Sequence, residues 1–271
     1  MLISSEQVLP LIDIHSHLLP AVDDGATSLQ VSIDMLDAYV ANGFNTVVTT
    51  PHLTGHLDPC YRGIVENAFA QVEPHAQARG VQLERGFEVR LSLEQLTQLE
   101  SGAPITLAGT NVVLIDLPFT EWPAYADATL FALQIAGYRI VLAHPERYPG
   151  IQRDPNRAVE LVTRGIVLQV TIGSFSGAFG KRAKQCAETL LKLGVVQIVA
   201  TDAHSAGHRM AAVPEGMERL RVLVGQEQLD SLTITAPRML LCGEALPPPV
   251  QTVSSAWRQR IPVLRRLSGC H

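Results

Sequence analysis

Ile12-Asp13-Ile14-His15-Ser16-His17 is the stretch on which the reading of this chain turns. Its apolar, β-branched start has the character of a buried strand. Side chains two apart on a strand face the same way, so both imidazoles can address one centre. A single His-x-His motif carries little weight, but its setting recurs. Seven short apolar runs end on a histidine or a carboxylate, or on the loop just behind one. The clearest others are Thr46-Val47-Val48-Thr49-Thr50-Pro51-His52, Val112-Val113-Leu114-Ile115-Asp116, Ile140-Val141-Leu142-Ala143-His144 and Val196-Gln197-Ile198-Val199-Ala200-Thr201-Asp202-Ala203-His204.

Strand-like runs fall near residues 11–15, 46–50, 82–88, 111–116, 139–143, 166–170 and 196–201, and helical patterns lie between them. From Ser28 to Asn42, Leu29, Ile33, Leu36 and Val40 recur at helical spacing, with Thr27 and Ser28 as cap candidates and Gly43 as the stop. Similar patterns run over Ile64 to Ala78, Ala126 to Ala136, Arg157 to Thr163 and Arg182 to Leu193, the last closing on Gly194. Strands alternating with helices predict an α/β protein with a parallel sheet buried on both faces. Seven such units without a break in composition favour a closed or nearly closed barrel, with an open doubly wound sheet as the competitor. No Gly-x-Gly-x-x-Gly turn follows the first strand, which weakens a dinucleotide-binding reading. Groups at the carboxyl ends of parallel barrel strands gather on one face.

The 271 residues are 46% hydrophobic and 17% charged, the composition of a globular protein with a substantial core. A net charge of −5 gives no footprint for nucleic acid. The start, Met1 to Pro10, lacks the pattern of a secretory signal, and no apolar stretch is long enough to span a bilayer, so a cytoplasmic protein is expected. Cys60, Cys186, Cys242 and Cys270 are far apart and show neither zinc-knuckle nor redox spacing, so reduced, non-catalytic thiols are expected. From Gly243 the character changes: Ala245-Leu246-Pro247-Pro248-Pro249 cannot continue a helix, and beyond it stand Arg258, Arg260, Arg265 and Arg266 with no acid. Residues 1–243 therefore read as one domain and 244–271 as a short Pro-rich basic tail. That composition fits either a mobile terminus or a basic helix in peripheral contact with an anionic membrane or an acidic partner.

A carboxylate or imidazole at the end of an apolar strand is costly to bury unless it is paired or metal-bound. His15, His17, His52, His144 and His204 with Asp24, Glu88, Asp116 and Asp202 exceed the needs of one tetrahedral site and suggest two or three divalent ions sharing carboxylates. Mixed imidazole and carboxylate donors suit harder ions such as manganese. Of the other histidines, His75 and His271 read as surface residues, while His56 and His208 lie in loops where they could line the pocket. Arg147 and Arg209 follow ligand positions, and their planar forks match phosphate oxygens. The plainer alternatives are pairing of Arg147 with Glu146 or another nearby acid, and solvent exposure of Arg209.

His15-Ser16-His17-Leu18-Leu19-Pro20, Val22-Asp23-Asp24-Gly25, Thr50-Pro51-His52, Gly86-Phe87-Glu88, His144-Pro145-Glu146-Arg147-Tyr148 and Thr201-Asp202-Ala203-His204-Ser205 together resemble the polymerase and histidinol phosphatase (PHP) superfamily. Within it the chain most resembles the manganese-dependent protein tyrosine phosphatases of bacterial capsule and exopolysaccharide loci, the CpsB/CapC group, from about Ile12 to Gly243. The resemblance implies a distorted (β/α)7 barrel holding three divalent ions. It places His15, His17, Asp24, His52, Glu88, Asp116, His144, Asp202 and His204 as ligands and Arg147 and Arg209 on the phosphate. It also implies hydrolysis by a metal-activated water without a cysteinyl phosphate, and a bacterial tyrosine autokinase with a phosphotyrosine tail as partner. His52 or a metal-held water would serve the leaving group. One departure stands out: Asp116 occupies a position that is usually a glutamate.

The cysteine route to phosphotyrosine needs an arginine six residues after the nucleophile, and none of the four cysteines has one. Other readings keep the barrel and change what it acts on or does. They are hydrolysis of a small monoester such as histidinol phosphate, nuclease work, or a non-catalytic scaffold of a polysaccharide-assembly complex. An amidohydrolase with a carbamylated lysine is disfavoured, because Asp116 holds the fourth-strand position.

Overall fold

The computed structural model describes residues 10–247 except Glu121. The basic tail from Pro248, with Cys270 and His271, lies outside the described residues, as does the start of the chain.

Among the described residues, nine strands fill seven positions around a barrel, because two positions are broken in the middle. The first is β1 (Leu11–Ser16). The second runs as β2 (Phe44–Thr49) and β3 (His52–Leu53), interrupted at Thr50-Pro51, where proline has no N–H for a ladder bond. The third runs as β4 (Gln82–Arg85) and β5 (Glu88–Arg90), interrupted at Gly86-Phe87, so the single run expected over 82–88 is two segments. A Cβ on Gly86 would stand 2.6 Å from Leu107 Cδ2, which explains a glycine at that close approach. Then come β6 (Val112–Asp116), β7 (Arg139–Ala143), β8 (Val167–Thr171) and β9 (Ile198–Ala200).

The order β1-β2-β4 continues through the broken strands into β3-β5-β6-β7-β8-β9, and the seven paired ladders are parallel. Closure is made beside the last strand: Ser16 bridges Ala203 in parallel, Asp202 N–H donates to His15 O at 2.9 Å, and His17 N–H donates to Ala203 O at 2.8 Å. Buried Asp13 clamps this seam, its carboxylate accepting from Thr201 N (3.0 Å), Thr201 Oγ1 and Tyr39 Oη (2.7 Å). The fold is thus a distorted (β/α)7 barrel of the PHP type.

Alternation along the strands sorts the core. Val112, Leu114, Val141 and Ala143 join Ile12, Ile14, Ile198 and Ala200 in one cluster, capped by Ala236 and Leu240 of α11 (Ala236–Leu241). Their neighbours Val113, Ile115, Ile140 and Leu142 point the other way, into the layer shared with the surrounding helices. A polar end and a plugged end follow from this arrangement.

Helix boundaries follow local chemistry. In α1 (Leu29–Ala41), Ser28 caps the start by accepting from Val31 N, and Gly43 at φ +83° ends it, as expected. The second helix, α2 (Pro59–Gln77), begins ahead of the apolar pattern at Ile64. There Asp58 accepts from the N–H groups of Cys60 and Tyr61, and Pro59 fits the first turn. Next come α3 (Leu93–Glu100), which the apolar pattern does not reveal, and α4 (Ala126–Ile135). They are followed by α5 (Pro149–Arg153), α6 (Asn156–Thr163), α7 (Ile172–Ser176) and α8 (Gly180–Lys192). Last before α11 are α9 (His208–Ala211) and α10 (Val213–Asp230), the latter interrupted at Gly225. Among the described residues no helix is long and apolar enough to cross a membrane.

Candidate metal centre

The expected ligands converge at the polar end. His15 and His17 leave β1 with their Nε2 atoms 3.3 Å apart. Each ring has its other nitrogen committed: His15 Nδ1–H donates to Gln169 Oε1 at 2.8 Å, and His17 Nδ1–H to Asp23 Oδ2 at 2.7 Å. Both Nε2 lone pairs therefore point into the same small space, an arrangement that repels itself unless positive charge lies between them. Glu88 Oε2 faces the same space, 3.3 Å from each Nε2 and 2.9 Å from His52 Nδ1, yet it accepts a hydrogen bond from none of them. Asp202 Oδ1 closes the group at 3.4 Å from His15 Nε2 and 3.5 Å from His17 Nε2.

Among the described residues, four sets of groups have ligand atoms within 4.8 Å of one another: His15, His17 and Asp202; His15, Glu88 and His144; His17, Asp24, His52 and His204; and His52, Glu88 and Asp116. Every predicted ligand belongs to at least one set, and Glu88 belongs to two. Outward from the buried pair, Asp24 Oδ1 lies 3.3 Å from His52 Nε2 and 3.4 Å from His204 Nε2, and its side chain is 67% exposed. The donor mix of imidazoles and carboxylates fits divalent cations.

Charge balance agrees. Burial alone would push His15 and His17 down, but the carboxylates of Glu88, Asp202 and Asp23 outweigh it and hold both up. Burial alone would likewise push Glu88 and Asp202 up, and the imidazoles beside them, with Arg209 beside Asp202, hold both well below the usual carboxylate range. His204 moves the other way, down to about 4, chiefly through burial and then through His17. Glu88, Asp202 and Asp23 thus hold positive charge against them, here as protons on His15 and His17 that a divalent cation would have to displace.

Two of the expected ligands sit in the left-handed backbone region that non-glycine residues rarely adopt, His144 at φ +36° and Asp202 at φ +51°. Each ends or follows a strand at the point where the chain turns over the site, and strain of this kind gathers where geometry is functionally imposed.

The two arginines approach from one side, and both engage Asp202. Arg147 Nη1 donates to Oδ2 at 2.8 Å, while Arg209 Nη1 lies 2.6 Å from Oδ1. The alternative of a structural pairing is met for Arg147, but its acid is Asp202 and not Glu146, which is buried and accepts from Thr171 N and Ser174 Oγ. Arg209 is not left to solvent either, since it also reaches Asp202 O and His204 Nδ1. The Arg147 guanidinium carbon lies 4.5 Å from the ring centre of Phe119 and 4.8 Å from that of Phe179, and Arg209 lies 5.4 Å from Phe179. Both cations are held over aromatic faces.

Asp116 is brought to the centre but is not left open. Arg90 grips its Oδ2 at 2.7 Å from Nε and 2.6 Å from Nη2, and Tyr148 Oη lies 3.3 Å from its Oδ1. The shorter acid is thus already countered by a cation of the chain itself. A cavity of about 190 Å³ opens over the site, lined by the expected ligands other than His15 and His17 and by Arg90, Arg147, Arg209 and Phe119. His56 and His208 are exposed and do not line it. A hollow of about 520 Å³ near Leu191, Leu223 and Leu246 contains no comparable gathering of ligands.

Reading the sequence alone passes over the residues that brace the ligands. Gln169 is a buried amide inside the apolar run of β8, a polar interruption that could have marked it. Asp23 stands beside the chosen Asp24, yet it is Asp23 that orients His17 and also accepts from His52 N at 3.0 Å. Gly25 follows because a Cβ there would lie 2.2 Å from His17 O.

Fold and site together define a barrel enzyme scaffold of the PHP kind, with a centre able to hold metal ions at the carboxyl ends of its strands. The family model for capsular polysaccharide synthesis, CpsB/CapC, matches residues 11–242, and the chain belongs to that family. Tyrosine-protein phosphatase YwqE of Bacillus subtilis is 34% identical over 232 residues, spanning 85% of this chain and 91% of the relative. Tyrosine-protein phosphatase CpsB of Streptococcus pneumoniae is 28% identical over 244 residues, spanning 87% and 100%. A solved structure from work on YwqE and CpsB, described there as unique metal-dependent tyrosine phosphatases, superposes with a TM-score of 0.79 at 31% identity, covering 90% of this chain and all of that one. The phosphotriesterase homology protein of Escherichia coli shares the fold alone, with a TM-score of 0.56 at 11% identity over 86% of this chain and 98% of that one.

Proposed function

We propose that this protein is a metal-dependent protein tyrosine phosphatase that uses manganese, two or three ions per chain. Its substrate would be the phosphotyrosine tail of a tyrosine autokinase in capsule or exopolysaccharide synthesis. The observation that carries this reading is the shared space on which His15 Nε2, His17 Nε2 and Glu88 Oε2 converge, the last accepting no hydrogen bond, beside two arginines that line one cavity. The metal-dependent tyrosine phosphatases of the same family support it.

Bound divalent ions would supply Lewis acidity and a water of lowered pKa. His15, His17, Glu88 and Asp202 would hold the inner ion, His144 and Glu88 a second, and Asp24, His52 and His204 the outer one. Arg147 and Arg209 would hold non-bridging phosphate oxygens as charge redistributes in the transition state. Asp202 keeps both forks in place while leaving their remaining N–H groups for substrate. Both ring nitrogens of His52 face carboxylates, Glu88 at 2.9 Å and Asp24 at 3.3 Å, which suits it better to holding an ion than to protonating the leaving group. Phenol, with a reference pKa of about 10, needs less such help than an alkyl alcohol.

The test is hydrolysis of a phosphotyrosine peptide by chelator-stripped protein with and without manganese, alongside His15→Ala. Turnover that needs the metal and vanishes in the variant is expected. A folded, metal-loaded protein that binds the peptide and leaves it intact would replace this reading with the scaffold.

A further inference from the structure

The cavity over the metal centre poses a problem for an aryl phosphate. Among the described residues that line it, all are charged side chains or histidines except one, Phe119. A phosphate held by Arg147 leaves its ester group one bond away, and an aromatic ring emerging there needs an apolar surface to lie on. Phe119 is 44% exposed, follows β6 in the segment Leu117-Pro118-Phe119, and stands beside the Arg147 guanidinium. Its ring centre lies 5.2 Å from that of His144 and 5.6 Å from that of Tyr148, so it is seated on the site and not a loop tip remote from it.

We infer that Phe119 is the specificity residue for the leaving group: its exposed ring receives the phenyl ring of phosphotyrosine and so favours aryl over alkyl phosphates. This rests on the proposed phosphatase reading for its substrate, but the contact concerns binding and can be read without turnover. The outer part of the site supports it, since Asp24, His52 and His204 bring no apolar side chain to the cavity. An exposed aromatic face beside a phosphate-binding arginine thus divides recognition in two, with Arg147 reading the phosphate and Phe119 what carries it.

The experiment compares calorimetric binding of phenylphosphonate and methylphosphonate to manganese-loaded protein, which neither ligand allows to turn over, in the wild type, Phe119→Ala and Phe119→Leu. The wild type is expected to prefer the phenyl ligand by about two- to tenfold, the range of an aromatic pair. Both variants should lose most of that preference while holding methylphosphonate within about twofold, the leucine keeping the apolar packing but not the stack. In parallel, kcat/KM on a phosphotyrosine peptide should fall mainly through KM, with a phosphoserine peptide little changed. Equal weakening of both phosphonates would mean that Phe119 only props Arg147, and no weakening of either would mean that it touches neither; each overturns the inference, as does a wild type without preference. A phenyl preference that Phe119→Ala removes, in a protein that leaves phosphotyrosine peptide intact, would sink the phosphatase reading and keep Phe119 as an aryl-phosphate contact. Binding of neither phosphonate would sink both.

Discussion

The inner and outer halves of the candidate metal centre use the same chemical groups under opposite conditions. His15, His17, Glu88 and Asp202 are all but sealed from solvent, and both histidines are oriented by partners outside their own strand. Asp24 is 67% exposed and His52 29%, and Asp24 has only the imidazoles of His52 and His204 for neighbours within salt-bridge distance among the described residues. Burial makes the inner half expensive to leave without charge compensation, and exposure lets water serve the outer half. One half is therefore a preformed socket and the other an adjustable rim.

The most severe way to break the contrast is Glu88→Gln. Glu88 joins two of the ligand sets, so loss of bound metal by elemental analysis and a fall in turnover of at least about 10³-fold are expected, since a single transition-state donor alone is worth about 10²–10³. A variant that keeps full metal content and activity would dissolve the distinction between socket and rim. Asp23→Asn tests the socket at one remove. Removing the carboxylate behind His17 should weaken metal binding by about 10- to 100-fold, as loss of such an orienting partner does, with thermal unfolding of the loaded protein as a second readout. If His17 needed no orienting, affinity would not move. Asp24→Ala should be milder, lowering metal content by at most the outer ion, with a loss in affinity of less than about tenfold for the inner ones. An effect as large as that of Glu88→Gln would show that the rim is as rigid as the socket. The smallest effect concerns chemistry away from both halves. Burial pushes the Cys186 thiol up to about 12, so it should stay unmodified by an alkylating reagent near neutral pH in the folded protein, while exposed Cys60 reacts. Mass spectrometry of the labelled chain decides it, and activity should survive the labelling.

Most of the expected ligands are legible in the sequence because they stand at the end of an apolar run, where burying such a group requires a reason; Asp24, exposed in the loop behind β1, is read only with the motif around it. The barrel is legible through strand and helix patterns in alternation. The bracing groups are not, because these depend on which strands end up adjacent. Gln169 meets His15 only once β8 and β1 share a barrel, and Thr201 meets Asp13 only at the closing seam. The Arg90–Asp116 pair is hidden for the same reason, since it forms across the β5–β6 ladder, where these two residues are register partners. Short helices such as α3 escape because their apolar positions are too few to show a period.

The seam between β1 and the segment after β9 joins the first ligands of the chain to the last. A ribosome that has extruded His15, His17 and Glu88 has not yet made Asp202 or His204, and Asp13 has no Thr201 to hold. Completion of the inner socket is therefore tied to the end of synthesis: a chain stopped before its last strand would carry His15, His17 and Glu88 without the Asp202 that closes the group.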